Sequence, residues 1–328
     1  IMVPIAVSML HFIGEKVIKS SKIAIPILLA IVWGSGIGGF GSPLGGSANL
    51  VAISYLENIC GHEFMYIDWV SRFLPFLILT MLLNLVILLS IKLPVTKLAN
   101  TKSYFNDMYK QLGPMSKGEK IGLGLFIIST VLAFARPLFA DILPALRPAY
   151  IFFICGLLTF MFRDDEGKVL LTWKQAEKEL MWGMFFLFAG GLALGKLVTG
   201  TGAATKLAEV ITVMPLTGGI ETIFAFTAFS TILTEVSSNT AAASIAIPII
   251  QSIAEALGLN VIPYILVTIV AVNCAYILPV STRAIPIGYG LEPSELFKHG
   301  VMLSILNVLL TTVVGYIFIN YWPSFGQI

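Results

Sequence analysis

The sequence predicts an all-α polytopic membrane protein whose spans include re-entrant hairpins and broken transmembrane helices. Three observations predict it. Only 12% of the 328 residues are charged and 57% are hydrophobic, with a mean hydropathy of +0.91. Several apolar stretches are long enough to cross a bilayer, where about 20 residues rising about 1.5 Å each cover about 30 Å of hydrocarbon. Further apolar stretches are interrupted by clusters of Gly, Ser, Thr, Asn and Pro. A soluble domain carries roughly 25% charged residues to cover its surface. With 20 basic and 18 acidic side chains, the composition excludes a soluble globular enzyme and a disordered chain. A net charge of +2 argues against nucleic acid as a partner. Cys60, Cys155 and Cys274 lie far apart without metal-ligand spacing, so neither a disulfide framework nor a zinc site is indicated.

The chain opens at Ile1 and runs directly into the apolar stretch Ile1–Leu10. It shows neither a charged leading region nor a cleavage site, so this is not a signal peptide. The expectation is a chain whose N-terminus lies further upstream. Ile1–Ile13 is too short to span. Ala24–Leu56 is long enough but broken at Gly34–Ser47. Phe73–Leu93, Ile121–Phe139, Trp182–Val198 and Val301–Ile319 read as full spans, and Tyr150–Phe162 as another behind the interfacial lead-in Ile142–Pro148. Leu171–Leu180, with Lys and Glu on one face, reads as an interfacial helix. Ile220–Leu257 is broken at Thr234–Thr240, and Val261–Gly290 at Pro279–Pro286.

Orientation follows from Lys and Arg. With Thr101–Lys120 inside and Ile220–Leu257 returning as a hairpin, 14 basic residues fall inside and 5 outside, leaving Arg283 at membrane depth. Reading Ile220–Leu257 as a full span would flip only Lys298. An internal repeat supports the hairpin. IMVPIAVSMLHFI (Ile1–Ile13) and IAIPIIQSIAEAL (Ile245–Leu257) share Ile, Pro, Ile and Ser at the same offsets, and a broken helix follows each. One reversal between copies makes an inverted repeat, the architecture of secondary transporters.

Broken backbone in lipid leaves N–H and C=O groups unpaired at several kcal/mol each, and is tolerated only inside protein or against a wet cavity. One half of a broken helix ends in carbonyls, which suit a hard cation. The other begins with N–H groups and a positive dipole end, which suit an anion. Ser, Thr and Asn add oxygens for the cation and short donors for an oxyanion. Thr234–Thr240, Ser281-Thr282, and Gly45-Gly46-Ser47 with Asn49 supply such sets. Against this stands the plain reading of each feature alone. A lone Ser or Thr bonds back to its own turn, and Gly-rich stretches mark close helix packing.

TEVSSNTAAASIAIP (Thr234–Pro248) resembles the Ser-Asn-Thr hairpin tip of the divalent anion/sodium symporter family. Trp182-Gly183 followed by FFLFAGGLALGK resembles one of its helices, and GIGGFGSPLGGSAN (Gly36–Asn49) its Gly-rich break. The resemblance implies an eleven-helix homodimer in the plasma (inner) membrane, with a scaffold and a mobile transport domain. Such a protein moves a dicarboxylate, citrate or sulfate by an elevator motion, usually with sodium. By that alignment about four helices and half of the first hairpin precede Ile1. Residues 1–69 are then the end of the first repeat, in the transport domain. Residues 70–100 form a scaffold helix, 101–120 a cytoplasmic loop, and 121–218 the scaffold helices of the second repeat, with the interfacial helix near 171–180. Residues 219–290 are the second hairpin and broken helix of the transport domain, and 291–328 the last scaffold helix.

By the same resemblance, Ser238, Asn239 and Thr240 touch the substrate carboxylate, with Gly46, Ser47, Thr282 and Arg283 beside them. Thr234, Ser237, Ser238 and Asn239, completed by Ser281, form the second sodium site. Gly45 and Asn49 belong to the first. The family commonly has Pro-Pro-Asn in each break; here the runs read Ser47-Ala48-Asn49 and Arg283-Ala284-Ile285. An intramembrane cation is expensive and normally paired. Arg283 either pairs with substrate, stands in for a sodium ion in an exchanger, snorkels, or pairs with an acid. Glu235 either tunes the cation site, carries a proton, or pairs with Arg283 or a backbone donor.

Other functions compete. A sodium/proton antiporter needs a buried carboxylate pair, and only Glu235 is available. An intramembrane protease needs a Ser-Lys, Ser-His, paired-Asp or His-rich zinc arrangement, and none is present. A passive channel would not need two repeat-related breaks. His11, His62 and His299 stand apart from other titratable clusters, and no chemistry is assigned to them.

Overall fold

The computed structural model describes residues 2–12, 15, 18–91, 101–180, 186, 189–190, 193, 197, 200–202 and 216–327. The expected span Trp182–Val198, with its WG-type motif, lies largely outside them. Among the described residues the named elements are all helical, as the composition implied. Among the described residues, two helices are long and apolar enough to cross a membrane: Tyr66–Ser90 and Pro293–Tyr321. Residues 1–64, 68–101 and 186–328 form one compact unit, and 65–67 with 102–185 a second.

The first unit opens with α1 (Met2–Phe12), α2 (Ala24–Gly39) and α3 (Ser47–Cys60), followed by α4 (Tyr66–Ser90). α4 exposes Leu74, Ile78, Leu82, Leu85, Val86 and Leu89 along one stripe. In water such a patch is a liability; against lipid tails it is the expected solvent-facing surface. The opposite face buries Trp69, Phe73 and Phe76, with Trp69 and Phe73 stacked at 4.3 Å between ring centroids.

The same unit continues with α9 (Ile220–Val236) and α10 (Asn239–Ala256), joined tip to tip as the expected hairpin. Then come α11 (Val261–Asn273), a short α12 (Ala284–Gly288) and α13 (Pro293–Tyr321). α11 is the centre of the unit, buried along its whole length and packed by α3, α9, α10 and α13. A helix apolar all round belongs in a core. α4 and α13, read from sequence as scaffold helices, fall in the same unit as the hairpin.

The second unit holds α5 (Thr101–Leu112), α6 (Lys117–Phe134), α7 (Pro148–Leu158) and α8 (Trp173–Glu179). α5 gives the expected cytoplasmic loop a helix. α6 and α8 each begin with a capping box, Ser116 with Glu119 and Thr172 with Gln175, which pairs otherwise orphaned N–H groups at each start. α8 coincides with the expected interfacial helix. The expected span Ile121–Phe139 ends early because Ala135 closes α6 and Arg136–Leu138 turns as a 3₁₀ segment.

Two breaks fall elsewhere than composition suggested. α2 stays helical through Gly34–Gly39, and the first break is confined to the residues between Gly39 and Ser47. Those glycines serve contact rather than unwinding: a Cβ on Gly36 would stand 3.3 Å from the Asn273 carbonyl oxygen. The last break begins at Cys274, upstream of Pro279, and helical structure resumes at Ser281.

Candidate functional site

Each break is held by side chains that pair its stranded backbone groups. At the first, Asn49 is fully buried and donates through Nδ2 to the carbonyls of Gly39 (2.8 Å) and Ser42 (2.9 Å). The Trp69 indole donates to the Phe40 carbonyl at 2.8 Å. Gly45 is required by space, since a Cβ there would lie 2.2 Å from the Gly39 carbonyl oxygen.

At the hairpin tip, Ser237 and Ser238 are extended between α9 and α10. Ser238 caps α10 by accepting from the Ala241 N–H at 3.2 Å, as Ser at an N-cap does. Ser237 turns back onto the Leu233 carbonyl at 2.6 Å. Thr234 donates to the Val272 carbonyl at 2.6 Å, tying the tip to α11.

The third break is held by the two buried charges. The Glu235 carboxylate accepts from the N–H groups of Tyr276 (2.7 Å), Ile277 (3.0 Å) and Leu278 (3.2 Å), and from the Ser304 hydroxyl (3.0 Å). Arg283 answers from the other side. Its Nη2 donates to the Thr234 and Glu235 carbonyls at the end of α9 (3.0 and 3.2 Å), and its Nε to the Leu278 carbonyl (2.6 Å). The residue from α9 thus caps the unwound stretch, and the residue after that stretch caps α9. Each buried group left unpaired would cost about 1–3 kcal/mol. Trp33 donates to the Tyr276 carbonyl at 3.2 Å. Gly300 lets α13 close on the same carbonyl, which a Cβ would approach to 2.2 Å. Ser281 sits at φ 59°, the left-handed region that non-glycine residues seldom adopt.

The breaks converge on one cavity of about 190 Å³. Of the residues expected to bind ligand, Gly45, Gly46, Ser47, Ser238, Asn239, Thr240, Ser281 and Thr282 line it. Ser47 and Thr240 share a hydrogen bond across it. Asn49, Thr234 and Ser237 stand behind that lining, engaged by the bonds above. Arg283 does not line the cavity: its guanidinium is spent on backbone carbonyls, a different place from the expected contact with substrate. Sequence reasoning missed Ser35, Gly39 and Asn273, which also line the cavity. Ser35 and Gly39 lay inside the Gly-rich stretch it had singled out. Asn273, a lone amide closing the apolar run Val261–Asn273, was the overlooked signal.

Among the described residues, no charged side chain lines this cavity. Its polarity comes from hydroxyls, carboxamides and helix ends. α3 and α10 begin at it with their N–H groups; α2, α9 and α11 end near it with their carbonyls. Such a wall favours an anion at the helix starts and a hard cation at the helix ends.

Residues 1–327 match the sodium:sulfate symporter transmembrane region. The chain belongs to the sodium:sulfate symporter family. This bears out the resemblance to the divalent anion/sodium symporters read from the three motifs. The family is one of membrane transporters rather than enzymes. A sodium-dependent dicarboxylate transporter, SdcS, of Staphylococcus saprophyticus is 26% identical over 96% of this chain and 64% of its own length. An uncharacterized transporter of Haemophilus influenzae is 30% identical over 97% of this chain and 67% of its own length. The SdcS of Staphylococcus aureus is 26% identical over 88% and 58% respectively. This symporter-family chain spans about two thirds of the length of these relatives.

Proposed function

We propose that the protein carries a small divalent anion, of the dicarboxylate, citrate or sulfate class, across the plasma (inner) membrane together with sodium. One observation carries the reading: among the described residues, the cavity where the breaks meet is lined by neutral donors and acceptors and by no charged side chain. A dianion held there without counter-charge is prohibitively costly at membrane depth. Sodium ions on the carbonyl side supply that charge.

In this reading Ser238, Asn239, Thr240, Gly46, Ser47 and Thr282 face the anion. Thr234, Ser237, Ser238, Asn239 and Ser281 surround one sodium, with Gly45 and Asn49 at another. Arg283 acts as a positioning residue. The inverted-repeat order and the family support alternating access of the elevator type in a homodimer, with the hairpin unit as the moving body. That α4 and α13 pack into the same unit as the hairpin supports their moving with it rather than standing in the scaffold.

A second reading is anion exchange without sodium. The observation favouring it is Arg283, whose guanidinium already occupies carbonyls at the end of α9. Uptake of labelled succinate, citrate and sulfate into proteoliposomes of the full-length protein tests both. Sodium-gradient-driven uptake of at least one is expected. Exchange that ignores sodium would select the second reading, and neither uptake nor exchange of any dianion would overturn both.

A further inference from the structure

We infer that Asn273 is a sodium ligand, its Oδ1 standing between the Gly45 carbonyl and the Asn239 carboxamide and joining the first break to the hairpin tip. The inference rests on the reading above that the cavity takes sodium.

Asn273 closes α11 and is 3% exposed. Both protons of its amide are used: Nδ2 donates to Asn49 Oδ1 at 3.1 Å and to the Ile269 carbonyl at 2.9 Å. Those bonds fix the side chain and leave Oδ1 facing the cavity. A Cβ on Gly46 would stand 3.5 Å from that oxygen. A Cβ on Gly39 would stand 3.7 Å from it and 3.4 Å from the Gly45 carbonyl oxygen, so the two oxygens border the same small space.

On the other side lies Asn239, placed with its Nδ2 donating to Asn273 Oδ1 at 3.5 Å and its Oδ1 accepting from Thr234 Oγ1 at 3.0 Å. Thr234 has one hydroxyl proton, and the Val272 carbonyl at 2.6 Å takes it. The hydroxyl therefore best serves Asn239 as an acceptor. A half-turn of the Asn239 amide, which leaves its shape unchanged, presents nitrogen to Thr234 and oxygen to Asn273. The 3.5 Å contact then joins two oxygens. A hard cation with metal–oxygen distances of about 2.4 Å sets neighbouring ligand oxygens about 3.4 Å apart. An oxygen pair at that spacing beside a free carbonyl is a cation's coordination edge. Asn273 is also bonded to Asn49, which clamps the first break. Cation binding at Asn273 is therefore felt at both breaks.

The test is sodium-dependent thermal stabilisation of the full-length protein in detergent, with sodium titrated against choline and no anion present. Asn273→Ala removes the oxygen and the donor to Asn49. Asn273→Asp keeps an oxygen at that place, exchanges the donor to Asn49 and Ile269 for a second acceptor, and adds a negative charge that itself favours a cation. Expected are a sodium half-saturation at least tenfold higher in Asn273→Ala and one within about threefold of wild type, or tighter, in Asn273→Asp. If Asn273→Asp is impaired as Asn273→Ala is, the residue acts through its bond to Asn49 and the inference falls. It falls likewise if Asn273→Ala binds sodium as wild type does. If wild type shows no sodium response, the reading on which it rests fails first. Asn273→Ser, with a shorter oxygen, should lie between Ala and wild type, and it carries the test should the Ala variant not fold.

Discussion

Replacing Glu235 with Gln separates the structural role of the buried carboxylate from a proton-carrying one. The carboxylate accepts four bonds, with Tyr276 N–H and Ser304 Oγ on one oxygen and the N–H groups of Ile277 and Leu278 on the other. Gln offers one oxygen. Its best placement keeps Ile277 and Leu278, lets Ser304 rotate to accept, and turns its NH₂ toward the Tyr276 N–H. One buried N–H is then orphaned, at about 1–3 kcal/mol, and two bonds fall from charged to neutral acceptor, at about 1 kcal/mol each. The sum is about 3–5 kcal/mol, a large fraction of the stability of an ordinary domain. Thermal unfolding in detergent, followed by tryptophan fluorescence, should drop by roughly 6–10 °C at about 2 °C per kcal/mol. Uptake should fall with it, because the stretch that presents Ser281 and Thr282 loses its cap. A Glu235→Gln protein that melts within about 2 °C of wild type yet loses only a pH-dependent component of transport would refute this reasoning and make Glu235 a proton carrier.

Gly45→Ala places a methyl 2.2 Å from the Gly39 carbonyl oxygen. Forcing those backbones apart should cost about 1–3 kcal/mol and weaken anion binding, measured by calorimetry; a variant indistinguishable from wild type would show that the first break has slack. Arg72 is buried at the start of α4 and donates to the carbonyls of Ser324, Phe325 and Gln327. Arg72→Gln keeps a donor for one of these three carbonyls at most, so it should release the C-terminal tail to limited proteolysis and cost about 3–6 kcal/mol, two charged bonds at about 1.5–3 each. Ser281→Gly removes the left-handed strain at φ 59°, so it should raise stability by about 1–2 kcal/mol while lowering sodium affinity through the lost hydroxyl. Stability and affinity falling together would mean that Ser281 is held by contacts outside this account.

Local rules carried much of the architecture. The hairpin was legible because Thr234–Thr240 interrupts an apolar run and the stretch after it repeats the pattern of Ile1–Ile13. The span containing α4 was legible because its outward stripe is uniformly apolar. The start of the third break was not, because its cause is distant. Proline marked residues 279–286, but unwinding starts at Cys274, where Glu235, 41 to 43 residues earlier, supplies acceptors that replace the helix. Arg283 was legible as an anomaly and not as a role, since its partners are carbonyls that any residue possesses. Asn273 was invisible for a related reason. It reads as the last polar residue of an apolar helix until folding sets it against Asn49, 224 positions away. The glycines of α2 misled in the opposite sense. Their composition suggests a break, whereas at Gly36 the missing side chain admits the end of α11.

The central claim is that a cavity without a charged side chain holds a dianion only when sodium is present. Equilibrium binding of labelled succinate and sulfate to the purified full-length protein, in sodium and then in choline at equal ionic strength, tests it most directly. Saturable binding of at least one anion in sodium, and a loss of at least a hundredfold in affinity in choline, is the expected result. Equal affinity in both media would mean that the counter-charge is built into the protein, with Arg283 the first residue to answer for it, and would contradict the account.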